Sequence, residues 1–292
     1  MARYSDIYYD SADLRLKLYA RDYGRPSQNA LPVLCMHGLT RNSADFEWLA
    51  DHLASDYWII SVDQRGRGKS AWDDQQANYS PAVYVQDMFK LMGELSLTKV
   101  ALIGTSMGGI MAMIMGAMAP QVIAGLVIND VGPELDPSGL ARIAGYTGKG
   151  KPVETWEEAG ARCAETNSVA FPDFTPADWL MFAKRTYSVT NEGRLAPAYD
   201  PAISNAFAPT APDTPPVAPP DLWGMWDALK ALPTLSIRGG ISDLLSAETV
   251  TKMEARHSGL AVVTVPDRGH APMLDEPVAV TAIDSFLSKL DQ

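Results

Sequence analysis

The feature that most constrains the fold of this chain is an alternation of short apolar runs with segments of helical periodicity. Six runs are almost continuously apolar, as expected of strands buried on both faces: residues 31–36, 57–63, 99–106, 123–130, 233–239 and 260–266. Helical patterns lie between or after them, at about 43–54, 81–96, 107–118, 246–257 and 276–290. This order predicts an α/β fold with a mostly parallel sheet covered by helices on both faces.

The N-terminal residues carry a different pattern. Residues 4–22 contain two alternating segments, with Leu14, Leu16 and Leu18 on one face of the second. Alternation with period two is typical of half-buried strands. It predicts an antiparallel pair at one edge of the sheet.

The alternation is interrupted between residues 133 and 228. Helical periodicity recurs near 154–166 and 176–187, and a proline-rich run follows at 209–221. We therefore predict a catalytic core formed by residues 1–132 and 229–292, with an inserted helical cap at 133–228.

Composition excludes several classes of function. The chain has 292 residues and a net charge of −11, so its field would repel nucleic acid and disfavour anionic membranes. A neutral or cationic small molecule is the easier partner. Cys35 and Cys163 are too few for a disulfide scaffold or a cysteine-based zinc site. No signal peptide or membrane-spanning run is evident, which predicts a cytoplasmic protein.

The strongest chemical motif is Gly104-Thr105-Ser106-Met107-Gly108. It ends the apolar run KVALIG and begins the apolar helix MGGIMAMIMGAM. A sharp turn from strand to helix strains the backbone at the serine and exposes its Oγ above the sheet. Side chains at the two glycines would collide across this turn. The motif therefore indicates a nucleophile at Ser106.

Other motifs occur in a matching order: His37-Gly38-Leu39 after the third strand, the segment 63–70 (DQRGRGKS) after the fourth, and Gly269-His270 near the C-terminus. With the serine motif they resemble the α/β-hydrolase-fold superfamily over nearly the whole chain, in particular its capped, esterase-like serine hydrolases. The resemblance implies a mostly parallel eight-stranded α/β-hydrolase sheet. It also implies the chain order nucleophile, acid, base.

A serine hydroxyl is a weak nucleophile and needs a base that is oriented by an acid. Among the four histidines, His270 is the predicted base because it follows the last strand. Asp243, in the loop GGISDLL, is the predicted acid. Asp130, which ends the preceding strand, is the alternative, since some relatives carry the acid at that position.

The tetrahedral intermediate of ester hydrolysis needs donors for its oxyanion. Met107 follows the nucleophile and begins a helix, where free N–H groups favour negative charge. The resemblance implies that the N–H groups of Met107 and Leu39 form the oxyanion hole.

These features predict a serine hydrolase that cleaves small to medium, largely apolar carboxylic esters through an acyl-enzyme. No cofactor or metal is required. The same triad would also serve a lactonase or a C–C bond hydrolase of aromatic ring-fission dienoates, although the sequence shows no distinctive carboxylate-binding arginine for the latter. A non-enzymatic ligand receptor on this fold is a third hypothesis. The sequence leaves the oligomeric state open.

Overall fold

The computed structural model describes residues 3–207 and 221–290. Within these residues the strands are β1 (Ser5–Asp10), β2 (Lys17–Asp22), β3 (Pro32–Met36), β4 (Trp58–Asp63), β5 (Val100–Thr105), β6 (Ile123–Asn129), β7 (Tyr187–Val189), β8 (Leu195–Pro197), β9 (Thr234–Gly239) and β10 (Leu260–Val265). The helices are α1 (Glu47–Leu53), α2 (Pro81–Glu94), α3 (Met107–Met118), α4 (Pro137–Tyr146), α5 (Trp156–Asn167), α6 (Pro176–Thr186), α7 (Leu222–Ala228), α8 (Ala247–Arg256) and α9 (Pro277–Leu290).

Eight of these strands form one sheet in the order β1-β2-β4-β3-β5-β6-β9-β10. β1 pairs antiparallel with β2, and β2 pairs antiparallel with β4. The other pairings in this sheet, which join β4, β3, β5, β6, β9 and β10, are all parallel. The predicted fold class is therefore confirmed. The chain adds β4 on one side of β3 and β5 on the other, so the carboxyl ends of β3 and β5 flank a topological switch point. Ligands of open α/β sheets bind at such points.

Helices cover both faces of the sheet because each buried strand presents apolar side chains to both sides. α1 and α9 pack on one face, with Leu49 and Ile283 in their shared apolar cluster. α2, α3, α7 and α8 contribute to the cluster on the other face, where Met111 and Trp226 are fully buried. None of the helices in the described ranges is long and apolar enough to span a membrane.

The N-terminal pair is antiparallel and lies at the sheet edge, as predicted. The prediction that Leu14 lies on one face of the second strand together with Leu16 and Leu18 is wrong. β2 begins only at Lys17, and Leu14 lies in the preceding turn with φ +61° and a side chain that is 69% exposed. Leu18 is fully buried.

The chain between the adjacent strands β6 and β9 contains α4 to α7 and a small antiparallel hairpin of β7 and β8. Its helices α5 and α6 were expected, whereas α4, α7 and the hairpin were not. It has an apolar cluster of its own that includes Phe171, Trp179 and Phe182. The proline-rich run at 209–221 lies outside the described residues except for Asp221.

Candidate active site

Ser106 lies in the single-residue connection between β5 and α3. Its φ of +53° and ψ of −114° place it in a region that residues with a side chain rarely adopt. The Ser106 N–H donates to the carbonyl of Asn129 at 2.9 Å, which fixes the turn against β6. A Cβ on Gly104 would overlap the Gly108 carbonyl, and a Cβ on Gly108 would overlap the Met36 carbonyl. The turn therefore requires both glycines.

His270 connects the serine to a carboxylate. Its Nε2 lies 2.8 Å from the Ser106 Oγ, and its Nδ1 lies 2.8 Å from the Oδ2 of Asp130. The His270 side chain is 7% exposed and the Asp130 side chain is fully buried. These three side chains form a continuous hydrogen-bonded row at the carboxyl edge of the sheet.

Asp130 is positioned directly after β6 by a backbone with φ +54°, a conformation that aspartate tolerates better than most residues. Its Oδ1 accepts the Gly239 N–H at 2.6 Å, and its Oδ2 accepts the Ser242 hydroxyl at 2.6 Å. Donors from the last residue of β9 and from the loop after it therefore hold the carboxylate toward His270 and compensate for its burial.

Asp243, the acid favoured by the sequence, makes no hydrogen bond with His270. Its carboxylate binds Arg142 of α4 at 2.5 Å from Nε and 2.8 Å from Nη2. This hydrogen-bonded pairing holds the pKa of Asp243 below its usual value. In the loop after β9, the Ser242 hydroxyl donates to Asp130, whereas the neighbouring Asp243 accepts from Arg142. The structure therefore does not bring the expected Asp243 to His270; it brings the alternative, Asp130.

The buried His37 organises the loop after β3. Its Nε2 accepts the backbone N–H of Gln64 at 3.0 Å, so the ring proton is on Nδ1, which donates to the Gly38 carbonyl at 2.6 Å. Burial, with a contribution from the nearby Arg67, lowers the pKa of His37 to about 3. A neutral His37 therefore fixes the peptide group whose N–H belongs to Leu39.

The two backbone donors implied by the resemblance lie on either side of Ser106 in the fold. Met107 is the first residue of α3, and Leu39 lies in the loop after β3. Neither N–H donates a backbone hydrogen bond to another described residue. The buried Arg67 contacts both residues, through the Leu39 carbonyl at 2.9 Å and the Met107 Sδ at 3.7 Å. Both N–H groups are thus available to a ligand beside the serine.

The remaining motif arginine and histidines have other partners. Arg65 forms a two-pronged hydrogen bond with Asp87 in the core. His52 is partly exposed and faces Asp284. His257 is buried against the Trp226 ring. None of the three lines the cavity that contains Ser106.

A cavity of about 480 Å³ opens at Ser106 and His270. This volume is in the range of small-molecule sites. One wall comes from the loops after β3 and β5, and the other from α4 to α6 and β8. Phe182 and Tyr187 line the cavity, whereas Trp179 packs within the apolar cluster of the inserted segment.

Arg41 is a cavity residue that the sequence reasoning missed. It follows the His37-Gly38-Leu39 motif, and its guanidinium stacks 4.0 Å from the centre of the Phe182 ring. A Cβ placed on Gly38 would lie 3.7 Å from both the Arg41 Cγ and the Ser106 Cβ, so both side chains lie beside the same glycine. Its position just after the motif was the available signal.

Within the described residues, no group of three or more His, Cys, Asp or Glu is arranged to hold a metal ion.

Comparison with known proteins yields consistent similarities. A family model described as the alpha/beta hydrolase family matches residues 33–283. A 3-hydroxybutyrate-oligomer hydrolase of Cupriavidus necator is 34% identical over 270 residues, covering 91% of each chain. An esterase of Mycobacterium tuberculosis is 26% identical over 255 residues, covering 86% of this chain and 80% of its own. The crystal structure of an alpha/beta hydrolase from Novosphingobium aromaticivorans is similar with a TM-score of 0.91 and 42% identity, covering 99% of each chain.

Proposed function

Because this chain belongs to the alpha/beta hydrolase family, we propose that it hydrolyses carboxylic esters through an acyl-enzyme on Ser106. The observation that carries this proposal is the row Ser106–His270–Asp130, with both hydrogen bonds at 2.8 Å beneath a cavity. The esterases among the relatives support the same class of reaction. The 3-hydroxybutyrate-oligomer hydrolase does so too, since oligomers of a hydroxy acid are joined by ester bonds.

The first chemical step follows from the hydrogen bonds. The Ser106 Oγ attacks the ester carbonyl carbon while His270 Nε2 takes the hydroxyl proton. The imidazolium then protonates the departing alcohol. Water attacks the acyl-enzyme by the same proton transfers in reverse order and releases the acid. Asp130 accepts the Nδ1–H throughout, so it selects the productive tautomer and stabilises the imidazolium.

In this mechanism the N–H groups of Leu39 and Met107 donate hydrogen bonds to the oxyanion of each tetrahedral intermediate. The Met107 N–H is at a helix N-terminus, where the dipole favours negative charge. Removal of one such donor typically costs about 3 kcal/mol of transition-state stabilisation. His37 and Arg67 act here as positioning residues, because they hold the carbonyls that border Leu39 without reaching the serine.

Residues 133–228 are assigned as a cap on the core formed by 1–132 and 229–292. Two observations support this division: the segment joins the adjacent strands β6 and β9, and it supplies one whole wall of the cavity. Selection of the substrate would then depend on the cap, and bond cleavage on the core.

The proposal is tested with chromogenic esters of increasing acyl length, assayed on the wild-type protein and on Ser106→Ala. Steady hydrolysis by the wild type and loss of at least about 10³-fold in the variant are expected, since the nucleophile is removed. Lactones and a ring-fission dienoate belong in the same panel. Full ester hydrolysis by Ser106→Ala would refute the mechanism, and turnover of the dienoate alone would favour C–C cleavage.

A further inference from the structure

The charges that line the cavity differ in sign from the chain as a whole. The protein carries a net charge of −11, yet four basic side chains and only two acidic ones line the cavity. Field from distant surface carboxylates is screened beyond about 8–10 Å at ordinary ionic strength. The cavity's own side chains therefore determine which charged group can bind within it.

Two of the basic side chains are already neutralised. Arg41 pairs with Asp45 at 2.8 Å, and Arg162 pairs with Glu165 at 2.8 Å. Both acidic residues of the cavity are used in these pairs. Lys149 and Lys151 remain. Both line the cavity, are exposed to solvent, and form no ion pair with any described residue. The positive surplus of the cavity is therefore located on these two lysines.

The loop that carries the lysines has a fixed backbone. Gly148 has φ +75° and donates its N–H to the Tyr199 hydroxyl at 3.1 Å, and a Cβ there would lie 2.7 Å from the Pro201 carbonyl oxygen. Gly150 packs on the Pro197 ring, which is 2.5 Å from where its Cβ would be. The glycines thus pack against other parts of the inserted segment, while the lysines that alternate with them line the cavity and are exposed.

The end of this loop is anchored as well. Val153 exchanges two backbone hydrogen bonds of 2.8 Å with Leu195 of β8. A loop fixed along its length presents both ammonium groups with less loss of backbone entropy on ligand binding than a free loop would.

We propose that Lys149 and Lys151 form a carboxylate-binding subsite, so that the preferred substrates are esters that end in a free carboxylate at the side away from the scissile bond. This inference rests on the proposed ester hydrolysis at Ser106 and specifies its substrate class. Apolar side chains of the same cavity, among them Phe171 and Met273, contact the hydrocarbon part of such a molecule. Linear oligoesters of hydroxy acids have this form.

The test compares a 3-hydroxybutyrate trimer as the free acid with the same trimer capped as its N-methylamide. The wild type is expected to prefer the free acid in kcat/KM, and the preference should weaken at high salt. In Lys149→Ala/Lys151→Ala we expect the ratio of kcat/KM for the free acid to kcat/KM for the N-methylamide to fall about ten-fold. The change should arise mainly in KM, and a ten-fold change is the size expected for the loss of two exposed charge pairs. Lys99→Ala/Lys289→Ala removes two exposed lysines outside the cavity and should keep the wild-type ratio.

Calorimetric titration in the Ser106→Ala background separates binding from turnover. The subsite is supported if the Ser106→Ala protein binds the free acid more tightly than the N-methylamide and if this difference disappears when Lys149→Ala and Lys151→Ala are added. This result would support the subsite even if the wild type hydrolyses neither trimer and the proposed function is wrong. Equal binding of both trimers in the Ser106→Ala protein overturns the subsite, even if esters are hydrolysed. A preference that survives the lysine substitutions but is lost in Arg41→Lys also overturns it.

Discussion

At the scale of single residues, the site depends on which of two aspartates meets the histidine. Asp130 and Asp243 follow the neighbouring strands β6 and β9, so either could reach the same place from its position in the sequence. The structure separates them by their partners. Asp130 binds His270, Ser242 and the Gly239 N–H, whereas Asp243 binds Arg142.

We expect Asp130→Asn to lower kcat about 10³- to 10⁴-fold. The amide can donate a hydrogen bond to Nδ1 and so favour the wrong tautomer of His270, and it no longer stabilises the imidazolium. Asp243→Asn is the matched control, because the same change there weakens only a partly exposed ion pair. Its effect should stay below about five-fold. Steady-state kinetics with one chromogenic ester measures both, and the reverse ranking would return the acid to Asp243.

His37, which organises the loop after β3, makes stability depend on pH. Its pKa is about 3 in the folded protein and 6.5 in its ordinary, unfolded environment. Between these values the unfolded chain binds a proton that the folded protein does not, so acid stabilises the unfolded state. The contribution of this histidine is fully present above about pH 6.5 and decreases as the pH falls toward 3.

The wild type should therefore lose stability relative to His37→Asn between pH 7 and pH 5. The difference in the free energy of unfolding between the two proteins should change by about 1.4 kcal/mol per pH unit once His37 is protonated in the unfolded chain. Urea unfolding of both proteins at several pH values measures this difference, and other titrating groups cancel in it. A difference that does not change with pH would mean that His37 has the same pKa in the folded protein as in the unfolded chain.

At the scale of elements, the strand–turn–helix unit of β5, Ser106 and α3 holds Ser106 in a strained backbone conformation. The strain persists because the unit is enclosed: α3 packs so closely on β3 that its second residue has no room for a side chain. Gly108 faces a backbone carbonyl of Met36, which cannot move aside without displacing the strand.

Gly108→Ala should lower the free energy of unfolding by about 1–3 kcal/mol or more and reduce ester hydrolysis, because the new methyl group meets backbone atoms. Gly93→Ala is the control. Gly93 lies on the exposed side of α2 with no atom within 4 Å of a Cβ position, so alanine should stabilise the protein by about 0.5–1 kcal/mol. Denaturant unfolding compares the two, and a harmless Gly108→Ala would contradict the enclosed turn.

The strands of the sheet could be predicted from the sequence, whereas part of the inserted segment could not. Buried parallel strands have continuous apolar runs, so β3 to β6, β9 and β10 could be located to within a residue or two. α7 has seven residues and the strands of the β7–β8 hairpin have three each, too few to show a clear period. α4 is amphipathic, so its period was present in the sequence although the prediction did not include it. The sequence favoured Asp243 over Asp130, and the structure pairs Asp130 with His270 instead. The difference depends on Arg142, about a hundred residues away from Asp243 in the chain, and no local pattern reports such a pairing.

At the scale of the whole molecule, one chain segment inserted between two adjacent strands forms a wall over the carboxyl edge of the sheet. Arg142 of α4 and Asp243 of the loop after β9 connect this segment to the core. The aspartate that does not bind His270 thus has a role in holding the cavity wall. The negative net charge is a property of the outer surface, while the cavity carries a local positive surplus on Lys149 and Lys151.

The central claim is that Ser106 is the nucleophile and that Asp130, through His270, activates it. Reaction with a fluorophosphonate ester probe, followed by intact mass and peptide mapping, tests both parts. We predict one adduct per chain on the peptide that contains Ser106, formed at similar rates in the wild type and Asp243→Asn, much more slowly in Asp130→Asn, and not at all in Ser106→Ala. An adduct on another residue, or labelling of Asp130→Asn at the wild-type rate, would contradict the account.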